Sequence, residues 1–188
     1  MTRLPTPAAS KDFTRAGRGE PFEHLITMAN AQYAAKGIAC VHKVPTAWVP
    51  IRRGAEFVAA KVTEKASVDF LGAYRGRPIA FDAKEESGRR ISWSRVEPHQ
   101  AAFMDNWTAA GGVSFVLVWF KGQAGGSERF VLVPWWAWRR GMNGPKVRGS
   151  ASLLVTDAAE EWEVWLGRGR VMLDYLATLG RIVSGVAS

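Results

Sequence analysis

A mixed α/β fold, with a central mixed β-sheet flanked by helices, is expected on three grounds. Along the chain the patterns run helix, strands, helix, strands, helix, the order of a layered sheet-and-helix domain. The stretch VDFLGAYRGRPIAFDAKEE at 68 to 86 reads as two strands around a turn, and 112 to 120 and 128 to 133 read as two more. With 188 residues, 47% of them apolar, the chain has room for one domain and one core.

Each element follows from local chemistry. Residues 1 to 18 (MTRLPTPAASKDFTRAGR) read as a flexible basic arm, and 19 to 188 as a single domain. A helix is expected from Glu20 to Lys36, with Pro21 in its first turn and Gly37 at its end. Phe22, Leu25, Ile26, Ala29 and Tyr33 fall on one face of it. A short strand follows from Ile38 to Val44, stopped by Pro45. Residues 46 to 66 set Arg52, Arg53, Lys61 and Lys65 around Trp48, Phe57 and Val58, and read as an excursion from the sheet. After the hairpin, 87 to 95 is a polar loop carrying Arg89 and Arg90. A second helix spans Glu97 to Ala110, opened by Pro98 and closed by Gly111-Gly112. The strands at 112 to 120 and 128 to 133 are joined by the KGQAGGS turn. Pro134 opens a short helical turn over WWAWRR, 141 to 160 is Gly-rich and unassigned, and Leu166 to Val183 reads as a closing helix.

Composition narrows the function. The net charge of +8 and pI near 10.1 point to a polyanionic partner, nucleic acid foremost. No apolar run is long enough to span a bilayer, and the first 18 residues lack an apolar signal core, so a cytoplasmic location without membrane association is expected. The single cysteine, Cys40, excludes an intramolecular disulfide and a multi-cysteine zinc site, and reads as a small apolar strand residue.

The chemistry concentrates in the hairpin. If Arg75-Gly76 is a two-residue turn, Tyr74 faces Arg77 and, stepping outward, Asp69 faces Asp82. A three-residue turn would shift that pairing by one. Opposed carboxylates repel, and a cation between them relieves the repulsion. Lys84, two residues beyond Asp82, shares its face. Hard divalent cations take oxygen ligands, and Mg2+ is held by a few carboxylates with water and substrate phosphate. Such an ion serves phosphodiester hydrolysis, with the lysine stabilising developing charge. The plain alternative is a solvated strand end with an Asp82–Lys84 ion pair, and an isolated D-x-K is usually that. Glu23, beside the apolar stripe of the first helix, is a further candidate carboxylate; an exposed helix glutamate is its ordinary reading. Gln100 shares a face with Phe103, Met104 and Trp107 and needs partners there, as a capping or core-satisfied amide or as part of the site. His99 reads as a surface histidine near a helix start.

The ordered set GRGEPFEHL, CVHKVPTAW, SVDFLGAYRGRPIAFDAKEE, EPHQAAFMDNW and GGVSFVLVWF resembles the RecU family of Holliday junction resolvases, over roughly residues 17 to 135. The resemblance implies a restriction-endonuclease-like fold of the PD-(D/E)xK nuclease type, with 46 to 66 as a protruding stalk. It implies a homodimer that cuts branched DNA, a four-way junction, in recombination and repair, with Mg2+, or Mn2+ in its place. Carried over by position, Glu23, Asp69, Asp82, Lys84 and Gln100 are the catalytic set. Asp69, Asp82 and Glu23 are the metal ligands in that reading. Arg52, Arg53, Lys61, Lys65, Arg89 and Arg90 are the expected DNA contacts. Asp82 departs from the glutamate common in relatives and is one methylene shorter. Two other readings stand beside this one: a related nuclease that trims ends or flaps, and a junction-binding protein that does not cut.

Overall fold

Arg75 and Gly76 both have positive φ, 50° and 73°, the pair of left-handed residues that a type I′ two-residue turn requires. The strands on either side therefore pair with Tyr74 opposite Arg77 and Phe70 opposite Phe81. The computed structural model describes residues 20–53, 56–64, 66–122, 128–144, 151–167 and 171–185. The expected basic arm at 1–18, Lys65 and most of the KGQAGGS turn lie outside the described residues.

The elements are α1 (Glu20–Ala35), β1 (Ala39–Lys43), β2 (Ala47–Arg53), β3 (Glu56–Glu64), β4 (Phe70–Tyr74), β5 (Arg77–Glu86), β6 (Arg90–Ser92), α2 (Pro98–Ala109), β7 (Val113–Phe120), β8 (Arg129–Pro134), α3 (Trp135–Asn143), β9 (Ser152–Leu154), β10 (Glu163–Val164) and α4 (Tyr175–Gly185). Six strands form the central sheet in the order β1-β4-β5-β7-β8-β10. Only β5 and β7 run parallel, joined by the crossover that carries α2, and the other pairs are antiparallel. The excursion is the antiparallel hairpin β2–β3, a two-stranded sheet separate from the central one. A third small sheet pairs β6 with β9.

The two faces of the sheet are covered by different helices. On one, Phe70, Phe81 and Phe115 stack across three strands at 4.9 and 4.5 Å, and Tyr175 of α4 closes on Phe81 at 5.2 Å. The stripe of α1 joins this layer: Phe22, Ile26, Ala29 and Tyr33 are buried, and Phe22 meets Trp119 and Phe130. Each large apolar side chain so removed from water contributes about 1.5–3 kcal/mol. Gly37, at φ 64°, ends the turn after α1, where Ile38 donates back to the Tyr33 carbonyl at 2.9 Å. On the opposite face α2 lies over β5 and β7, with Thr108 and Ser114 hydroxyls hydrogen-bonded at 3.2 Å. There α3 is tied to α2 by the Trp135 indole, which donates to Asp105 at 2.8 Å.

Four expectations need correction. Cys40 is exposed, because β1 is an edge strand and only Val41 of its middle residues points into the core. WWAWRR is the start of a nine-residue helix, α3, which buries Trp135 and Trp138 and leaves Trp136 exposed. The closing helix begins at Tyr175 and not at Leu166. Leu166 instead bridges Leu173 around Gly167 (φ 68°), and Asp174 accepts from the Ala177 N–H at 3.3 Å as a cap. The polar loop at 87 to 95 contains a short strand, β6, because β9 supplies it with a partner.

Candidate active site

Local hairpin geometry assembles the site. Asp69 precedes β4 by one residue, and its carbonyl accepts from the Val44 N–H at 2.8 Å, which continues the β1–β4 ladder. Carried one step past the Phe70–Phe81 pair, the register puts Asp69 opposite Asp82. The Asp69 Oδ2 accepts from the Ala83 N–H at 2.8 Å. Asp82 is fully buried in the middle of β5. Its Oδ1 accepts from the Gln100 amide at 2.8 Å, and its Oδ2 faces the ammonium of Lys84 in an ion pair.

Gln100 is held from both ends. Its Oε1 accepts from the Glu97 N–H at 3.0 Å, which completes a capping box at the start of α2. With the carbonyl oxygen engaged by the cap, only the NH2 group can point at Asp82. The cap thus sets the amide's orientation, and it brings the positive end of the α2 dipole toward a buried anion.

Burial pushes the Asp69 carboxyl up to about 7, and the neighbouring Asp82 charge pushes in the same direction; the Ala83 N–H and the Lys84 charge oppose them. Asp69 therefore exchanges its proton near neutral pH, and a cation between the two carboxylates would release it. The donors present are carboxylate oxygens, which suit a hard divalent ion. Among the described residues no three His, Cys, Asp or Glu side chains cluster as a ready metal cage. Two carboxylates, with remaining positions left to water and phosphate, match the way Mg2+ is commonly held.

The structure brings together Asp69, Asp82, Lys84 and Gln100. It does not bring Glu23 into that group. Glu23 pairs with Lys43 at 2.6 Å. Lys43 lies opposite Phe70, whose ring belongs to the α1 side of the sheet, whereas Asp69 and Asp82 face the α2 side. His99 contacts Glu97 at 3.4 Å and the Ala66 carbonyl at 3.3 Å. Of the expected DNA contacts, Arg53, Arg89 and Arg90 are exposed, and Arg90 reaches Ser152 at 3.5 Å. Arg52 and Lys61 lie in the β2–β3 hairpin, but their side chains, like Lys65, are outside the described residues.

Sequence reasoning missed Glu85. It accepts from the Phe22 N–H at 2.9 Å and pairs with Lys121 at 2.5 Å, fastening the first turn of α1 to the end of β5. Period-two alternation puts Glu85 on the face opposite Asp82 and Lys84. The acidic run itself gives no hint that a helix is capped there. Beside it, Arg95 reaches the Glu85 carbonyl at 3.2 Å and the Glu86 carboxylate at 3.5 Å.

Comparison with known proteins adds to this geometry. The profile of a family described as "Recombination protein U" matches residues 17–181. A protein of Streptococcus pneumoniae (strain CGSP14) named Holliday junction resolvase RecU is 35% identical over 128 residues, 64% of each chain. A protein of the same name from strain Hungary19A-6 is 36% identical over 115 residues, 57% of this chain and 58% of that one. The chain thus spans just under two thirds of the length of the curated relatives it matches. Among solved structures, Hjc of Archaeoglobus fulgidus, a Holliday junction resolvase, aligns with a TM-score of 0.36 and 12% identity over 64% of this chain and 75% of that one, a likeness too loose to bear on function.

Proposed function

The chain belongs to the RecU family, and on that premise we propose that it is a metal-dependent endonuclease that resolves four-way DNA junctions in recombination and repair. One observation carries the reading: Asp69 and Asp82 meet on one face of the sheet with Lys84 and Gln100 both engaged on Asp82. A buried aspartate held by two donors beside a carboxyl that titrates near neutral pH is costly as mere structure. It is useful where a cation must be bound next to a phosphate.

Asp69 and Asp82 would hold Mg2+, or Mn2+ in its place; Glu23, turned to the α1 side with Lys43, is left out of that ligand set. When bound, the ion supplies charge neutralisation and Lewis-acid polarisation at the scissile phosphate. The protein's own groups do the remainder. Gln100 keeps Asp82 in one rotamer, so the site is organised before substrate arrives. Lys84 stabilises charge that develops on the phosphoryl oxygens during in-line attack by water. Asp69, once deprotonated, accepts hydrogen bonds from that water. The β2–β3 hairpin, with Arg52, Arg53 and Lys61, is the stalk that engages the branch point, Lys65 follows it in the sequence as a further DNA contact, and Arg89 and Arg90 contact flanking phosphates. A two-fold homodimer would present two such sites to a junction of matching symmetry, so that shape and not base sequence selects the substrate.

The test is cleavage of a labelled synthetic four-way junction with Mg2+, beside linear duplex and flap substrates of matched sequence. Paired, symmetric cuts confined to the junction are expected. Equal cutting of flaps would replace this reading with an end-trimming nuclease. Binding without cutting in Mg2+ or Mn2+ would replace it with a binding protein.

A further inference from the structure

The two carboxylates reach the site from segments of different character. Asp82 sits in the middle of β5 and is held by Gln100, whose own place is set by the cap of α2. Asp69 ends the stretch 66–69, which lies between β3 and β4 and belongs to no strand. The β4 end of that stretch is fixed: Val68 is buried, and the Asp69 carbonyl accepts from the Val44 N–H at 2.8 Å. At its β3 end, Ala66 meets α2. The Ala66 carbonyl lies 3.3 Å from His99 Nε2, and His99 Nδ1 lies 3.4 Å from the Glu97 carboxylate. A carbonyl only accepts, so Nε2 carries the proton of the first contact. Glu97 is the N-cap of α2 and donates its N–H to Gln100 Oε1 at 3.0 Å. One imidazole therefore touches both the segment that delivers Asp69 and the cap that presents Gln100 to Asp82.

We infer that His99 is a positioning residue of the metal site, a clasp that holds the 66–69 segment against the start of α2 and keeps Asp69 in register with Asp82. The inference rests on the proposed reading of those aspartates as metal ligands, and adds a supporting residue outside the ligand set. An ion held by two protein carboxylates is sensitive to their separation, because displacing either one leaves a single ligand. The β4–β5 ladder fixes Phe70 opposite Phe81, but Asp69 lies one residue outside β4. His99 grips the chain three residues before Asp69, where it returns from the β2–β3 hairpin. A pull on that hairpin meets the clasp before it meets the carboxylate. Partners outside a ligand set commonly change metal affinity by about ten- to a hundredfold. His99 touches neither carboxylate, so the lower figure is expected.

The experiment compares the full chain with His99→Ala, His99→Gln and His99→Asn by two readouts. The first is native-state hydrogen exchange, without metal, at the Ala83 N–H, which donates to Asp69 Oδ2 at 2.8 Å and so reports on that side chain. The second is affinity for Mn2+ by electron paramagnetic resonance, counting only the ion that Asp82→Asn releases. His99→Ala should lose protection at Ala83 and bind Mn2+ about tenfold more weakly. It should keep protection at the Ala101 N–H, which donates to the Glu97 carbonyl at 2.9 Å in the first turn of α2. Glutamine sets an NH2 group where Nε2 stood and should restore both readouts; asparagine reaches only as far as Nδ1 and should not. His99 is exposed, so the unfolding midpoint should stay near that of the wild type. Unchanged Ala83 protection or unchanged Mn2+ affinity in His99→Ala would overturn the inference. So would loss of protection at Ala83 and Ala101 together, the mark of a frayed helix. A wild-type chain that binds no Mn2+ overturns the metal reading and with it the role of His99 toward the ion, while the Ala83 amide separates that failure from a failure of the clasp.

Discussion

Gln100 holds Asp82 through a 2.8 Å hydrogen bond while its own carbonyl oxygen closes the N-terminal cap of α2. The helix cap and the buried Asp82 carboxylate of the candidate site therefore depend on one amide. Replacing it should injure stability and catalysis together. Gln100→Ala removes the capping-box partner and leaves a buried carboxylate oxygen without its donor, at a cost of about 2 kcal/mol. Denaturant unfolding should show that loss. Cleavage should fall further than stability alone explains, and junction affinity should hold in gel shifts at low salt.

Asp82→Asn tests the anion itself. The amide is close to isosteric, so folding and junction binding should persist while Mg2+-dependent cleavage disappears. Removing the Asp82 charge also removes one of the influences that raise Asp69. The Asp69 carboxyl should then titrate at lower pH, which carboxyl-selective NMR would follow. An Asn variant that still cuts at the wild-type rate would sink the assignment of Asp82.

The pH dependence of the metal-free protein has a defined sign. Asp69 is raised in the folded chain to about 7, so the folded state holds a proton that the unfolded chain releases near pH 4. Its stabilising contribution is complete below that lower value and disappears as pH rises through about 7. The melting temperature should therefore decline over this window, and Asp69→Asn should flatten the decline. Added Mg2+ should offset it, and cleavage should rise with pH until Asp69 is deprotonated.

Glu85 fastens α1 to β5 through the Phe22 N–H and Lys121. Glu85→Ala leaves that N–H and that ammonium without their partner and should cost about 2 kcal/mol, discounted because Lys121 is partly exposed. Glu85→Gln can keep the hydrogen bond to Phe22 and should recover part of the loss. Equilibrium unfolding of the two variants distinguishes cap from ion pair.

Removing residues 50 to 64 truncates β2 and β3, which share no ladder with the central sheet. The truncated chain should unfold at nearly the wild-type temperature. Under the proposed function it should nick DNA without preferring junctions. Retained junction preference would reassign branch recognition to another surface.

Much of the site is legible in the sequence because its geometry is local. The turn at Arg75-Gly76 fixes the register, and register alone sets Asp69 against Asp82 and puts Lys84 beside it. The stripe Phe22, Ile26, Ala29 and Tyr33 likewise announces its buried face, since helical period needs no tertiary knowledge. The second role of Gln100 is less visible: the motif shows an amide on an apolar stripe but not which partner claims it.

Residue order, taken alone, therefore dictates periodicity: which side chains share a face, where turns fall, and that two carboxylates and a lysine stand together. Which side of the sheet each helix covers emerges only on folding, and with it the pairing of Glu23 with Lys43 on the α1 side. Folding also leaves β1 at an edge with Cys40 exposed, and delays α4 until Tyr175. The difference is one of range. Backbone sterics and side-chain alternation act over a few residues, whereas the covering of a face is settled by contacts between segments far apart in the chain.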